Sequence, residues 1–82
     1  MEVNNMAENL KWLKEVIDIL DEANKQYPSY KDKAKLKEID ERIKNVRYAV
    51  MEYIPTDKKL EEAKSRALFM LDMTEMNVEY NL

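Results

Sequence analysis

Between Leu36 and Ile54, apolar residues recur at Leu36, Ile39, Ile43, Val46, Val50 and Tyr53. Steps of three and four residues place all six on one face of a helix. Pro55 ends that helix, because it has no N–H for the next rung and disfavours helical geometry at Ile54 before it. This rod is the element on which the rest of the chain is expected to pack.

The first helix is expected to start at Asn4 or Asn5, either of which can cap it, and to reach Lys25 or Gln26. It carries two apolar stripes. Met6, Leu10, Leu13, Ile17 and Leu20 form the first, and Trp12, Val16, Ile19, Ala23 and Tyr27 form the second. Together they cover roughly half the circumference at about 100° per residue, more than one neighbouring helix would bury. A three-helix arrangement or a second subunit is needed.

Tyr27-Pro28-Ser29-Tyr30 is the clearest break. Pro28 biases Tyr27 away from helix, and Ser29 with Asp32 resembles a capping box, so the second helix is expected from about Tyr30 to Ile54. Thr56 or Asp57 then caps a third helix reaching about Met76, with Leu60, Ala63, Ala67, Met70 and Thr74 keeping the three-four rhythm. Ala67 to Leu71 is apolar on all sides and is followed by Met73 and Met76, which reads as core plus subunit interface. Asn77 to Leu82 is expected to fray.

The fold class is therefore all-α: one domain over 1–82, a small three-helix bundle with helices at about 4–26, 30–54 and 57–76. A bent helical hairpin, with helices two and three as one rod kinked at Pro55, is the alternative. Either form is expected to associate into a homo-oligomer through the second stripe of helix one and the turn at Ala67 to Leu71, because so short a chain leaves part of that apolar surface wet.

The chain has no glycine, cysteine or histidine. This removes glycine-built phosphate loops, disulfides, and zinc or haem sites with Cys or His ligands. No cofactor or metal is expected, and no spacing of acids, lysines, tyrosines, Ser29 or Ser65 singles out a catalytic pair, so the chain is not read as an enzyme. It lacks an apolar run of about 18 residues and a signal-peptide core, leaving the cytoplasm as the default expectation.

The net charge of −3 conceals a pattern. Residues 1–23 carry two basic and six acidic groups, residues 24–48 eight and four, and residues 49–82 four and seven. A basic middle between acidic ends fits charge matching between antiparallel helices. The sharper reading is an anion site. An acidic chain is a poor DNA ligand, but a small nucleotide needs only two or three cations and an aromatic face. Tyr27 and Tyr30 flank Pro28, and Lys44, Arg47 and Tyr48 lie within about one turn. Arg47 follows Val46 of the apolar stripe, so it stands at the edge of the packed face, as a boundary salt bridge or as a phosphate ligand.

The stretch Leu60-Glu61-Glu62-Ala63-Lys64-Ser65-Arg66 resembles the Leu-x-x-Ala-(Lys/Arg)-Thr-Lys segment in the last helix of the small phage anti-CBASS cyclic-oligonucleotide sponges. Tyr27-Pro28, Arg47 and Pro55-Thr56-Asp57-Lys58-Lys59 echo that family's order of a Tyr-bearing loop, a basic long helix and a break before the last helix. The family's following Leu-Glu-Glu-Ala and its Trp are replaced here by Ala67-Leu68-Phe69-Met70 and Met73, and helix one is an added element. The resemblance implies a helical oligomer in the host cytoplasm that sequesters a cyclic di- or trinucleotide without cleaving it. Tyr27 or Tyr30 would stack on a base, Lys44 and Arg47 would meet phosphate, and Ser65 with Arg66 would give a second polar contact set. On that reading Arg47→Ala weakens binding and leaves the fold nearly unchanged. The alternative is a small acidic helical inhibitor or interaction module that occludes a host protein with an amphipathic face. A purely structural oligomer is a third.

Overall fold

The computed structural model describes residues 10–27 and 29–82. They form three helices, α1 (Lys11–Gln26), α2 (Lys33–Glu52) and α3 (Lys58–Tyr80), with no strand among the described residues. Each helix touches both others in an elongated body of 44 × 21 × 18 Å. The bent-rod alternative is excluded, because α3 folds back along α2: Lys64 meets the end of α2 and Asn81 meets its beginning. The expected caps Asn4 and Asn5, together with Met6 of the first stripe, lie outside the described residues.

All six apolar positions of the central rod are buried, as their spacing requires. Against them α1 sets Trp12, Val16, Ile19 and Ala23, and α3 sets Ala67, Leu71 and Val78. The Trp12 ring meets Tyr53 at 5.5 Å between centroids and 58° between planes, which ties the start of α1 to the end of α2. The two stripes of α1 thus take roles other than those expected. The second stripe, assigned to self-association, is the internal core from Trp12 to Ala23, and only Tyr27 at its end is exposed. Leu13 and Ile17 of the first stripe face outward, with Leu10 and Leu20 partly covered.

The helix ends follow local chemistry. Asp32 caps α2 by accepting a hydrogen bond from Lys35 N at 3.1 Å, so it is the cap itself and not the distal partner of Ser29. Tyr30 cannot open the helix because its φ of 46° lies in the left-handed region, while its N–H donates to Gln26 O at 2.8 Å and closes the end of α1. At the other end of α2 the Lys64 ammonium donates to Met51 O at 3.0 Å and Tyr53 O at 2.7 Å, placing a cation on the negative pole of the helix. Of the two candidate caps for α3, Asp57 serves, accepting from Leu60 N at 2.9 Å.

Two corrections concern α3. It does not fray at Asn77 but runs to Tyr80, held by the fully buried Val78, by Asn81 Nδ2 donating to Asn77 O at 2.7 Å, and by Lys33 donating to Asn81 O. Its inward rhythm also takes Leu71 in place of Met70, keeps the half-buried Thr74 and continues to Val78, leaving Met70 40% exposed. The all-round apolar turn is therefore divided between two faces.

Candidate functional site

The polar features of the molecule concentrate along the seam between α2 and α3. Asp40, Lys44 and Arg47 stand on successive turns of α2, opposite Asp72, Glu75 and Glu79 of α3. Arg47 Nη2 lies 2.7 Å from Glu75 Oε1 and 3.0 Å from Asp72 Oδ1, and Nη1 reaches Glu75 Oε2 at 3.4 Å. This fork on Glu75 raises the Arg47 pKa above its ordinary value, against the opposing pull of partial burial. Lys44 Nζ sits 3.1 Å from Asp40 Oδ2 and 3.5 Å from Glu79 Oε2, and its pKa is raised first by the hydrogen bond with Asp40. Asp40 is buried, and its Oδ1 has no hydrogen-bond partner.

Carboxylate oxygens of Asp40, Glu75 and Glu79 lie within 4.8 Å of one another. Such crowding is unfavourable unless cations intervene, and Lys44 and Arg47 supply them. The seam is thus an internally compensated ion network. The same holds on the other side of α2, where Arg42 Nε donates to Glu15 Oε1 at 3.0 Å and Lys35 pairs with Glu22 at 3.5 Å. The basic middle of the chain is matched by acids of both neighbouring helices.

The six residues expected to bind a ligand occupy three separate places. Lys44 and Arg47 come together, lining with Tyr48 and Met51 a surface depression of about 300 Å³. Both cations already hold carboxylates, so an incoming phosphate has to displace them. Tyr27 and Tyr30 meet edge to face at 6.1 Å beyond the start of α2, and the fourteen helical steps from Lys33 to Arg47 alone span about 20 Å. Ser65 and Arg66 stand exposed on α3, lining a depression of about 360 Å³ with Lys58, Glu61 and Glu62.

A further feature was hidden by the all-round apolar turn. Phe69, Met73, Met76 and Tyr80 follow one another in steps of four, three and four, on the side of α3 about 160° from Leu71. Their exposures are 61%, 45%, 67% and 90%. At roughly 200 Å² for a whole large side chain, the four present on the order of 500 Å² to solvent. The readable signal is a second heptad-like run in the same helix, offset by two residues from the inward one.

No family model matches the chain, and no curated protein or solved structure matches it. Among the described residues, no helix is long and apolar enough to cross a membrane.

Proposed function

We propose that the chain is a non-catalytic helical interaction module that works by laying the outer face of α3 against an apolar surface of another protein chain. The observation that carries this reading is the aligned exposure of Phe69, Met73, Met76 and Tyr80. A patch of about 500 Å² falls at the upper end of what monomers expose, where patches are often functional. A helix presenting anchors at i, i+4, i+7 and i+11 has the spacing of helix-in-groove recognition. Methionines adapt to the partner and the two aromatic rings give large contact areas at low entropic cost. The acidic groups beside the stripe, Asp72 and Glu79, are already paired with Arg47 and Lys44, so the apolar anchors carry the recognition.

A second reading, sequestration of a cyclic di- or trinucleotide as in the phage sponges, draws its support from the depression that gathers Lys44, Arg47, Tyr48 and Met51. One experiment separates the two. The wild-type protein and Phe69→Glu, whose exposed site tolerates a charge without loss of helix, are used to capture proteins from the cells that encode the chain, and both are heated with and without a panel of cyclic nucleotides. The interaction module predicts partners retained by the wild type and lost by Phe69→Glu, with unchanged melting in nucleotide. Identical captures from the two proteins, with melting raised by one nucleotide, would reverse the assignment; saturation at about 100 times the dissociation constant adds roughly 2.7 kcal/mol.

A further inference from the structure

Resting on the docking role of the outer α3 face, we infer that in the isolated protein this face is covered by the same face of a second copy, with the two α3 helices antiparallel. Area argues for that occupant, and charge for its direction. Two such patches bury on the order of 1,000 Å², the lower bound for a specific interface between protein chains, and Met70 on the flank adds to it. Glu15 and Glu22 turn one flank of α1 toward α2, so Leu13 and Leu20 lie on the flank toward α3, extending the apolar surface on the Met70 side.

The charges set the direction. The first half of α3 carries Lys58, Lys59, Lys64 and Arg66 against Glu61 and Glu62, whereas beyond Leu71 it carries Asp72, Glu75 and Glu79 and no basic residue. Parallel pairing sets the acidic halves side by side. Antiparallel pairing instead sets each acidic half against the segment from Leu60 to Met70 of the other copy, where Lys64 and Arg66 balance Glu61 and Glu62, and it opposes the helix dipoles favourably as well. In the register that keeps the stripe in contact, Phe69 packs on Met73 of the second copy and Arg66 lies beside Met76, within a turn of Glu79 of that copy. Glu62 then faces Tyr80, whose hydroxyl can donate to it.

The chain has no native cysteine, so every disulfide reports an introduced pair. Under mild oxidation the double variant Arg66→Cys/Met76→Cys forms covalent dimers, while each single variant does not, because like positions in this register are ten residues, about 15 Å, apart along the axis. Sedimentation gives the wild type twice its 9.8 kDa mass at micromolar concentration and gives Phe69→Glu the monomer mass with an unchanged helical spectrum. Crosslinking of the single variants with themselves overturns the antiparallel arrangement. A wild type that stays at 9.8 kDa, yet still captures a protein partner that Phe69→Glu loses, overturns self-pairing and leaves the docking role intact. A dimer that survives both Phe69→Glu and Met76→Glu pairs through another surface and overturns the self-pairing of this face.

Discussion

Leu71→Ala is expected to cost about 2–5 kcal/mol of folding stability, while Met70→Ala, one residue earlier, costs under about 1 kcal/mol. Leu71 is fully buried at the centre of the α3 contact, so truncation both loses transfer free energy and leaves a cavity that a bundle this thin cannot collapse around easily. Met70 is 40% exposed, and alanine there retains a good helix former. Denaturant unfolding of both variants, made in the Phe69→Glu background so that association does not contribute, gives the comparison directly. For a domain of this size each kcal/mol moves the melting temperature by about 4–8 °C. Equal costs, or a larger cost at Met70, would mean that the inward face of α3 follows the other phase.

Arg47→Ala is expected to lower stability by about 1.5–3 kcal/mol, the range for hydrogen bonds to charged groups in partly buried surroundings. The arginine joins α2 to α3, and its removal leaves Glu75, largely covered by the bundle, facing Asp40 and Glu79 with Lys44 as the cation between them. Lysine in its place keeps the charge but loses the fork on Glu75. A double-mutant cycle with Glu75→Ala isolates the pair: removing both is expected to cost clearly less than the two single losses together. Additive losses would show that the contact is a screened surface pair of negligible worth. This result also governs the nucleotide reading, since an arginine that stabilises the bundle cannot be replaced there without changing the fold's stability as well as any binding.

The central rod was fully legible in the sequence because one residue in three or four along it is strongly apolar and from Lys37 to Arg47 every position between them is polar. Leu36 through Tyr53 admit a single phase. The stripes of α1 were legible as stripes but not as inside and outside. Both have comparable apolar content, and the decision rests on Trp12 finding Tyr53 at the far end of α2. In α3 the run Ala67 to Leu71 fits two phases, and only Val78, beyond the stretch read as helix, fixes which one points inward. The charge asymmetry was visible, and so was charge matching as its plainer meaning. What the sequence could not give was the pairing of Lys44 and Arg47 with Glu79 and Glu75, because contacts 28 to 35 residues apart depend on how α3 folds back. For the same reason Tyr27, Arg47 and Ser65, adjacent in an argument from residue types, are separated in space.

Methionine oxidation tests most directly the claim that α3 has one face for its own core and another that a second copy covers in the isolated protein. Dilute peroxide attacks exposed thioethers, and mass spectrometry reads each site separately. Met51, exposed on α2 to a degree similar to Met76, serves as the internal reference. In dilute protein, Met73 and Met76 are expected to oxidise at rates comparable with Met51. As concentration rises they should become protected while Met51 does not, and Phe69→Glu should abolish that protection. Oxidation of Met73 and Met76 in step with Met51 at every concentration, in both the wild type and the variant, would contradict the account.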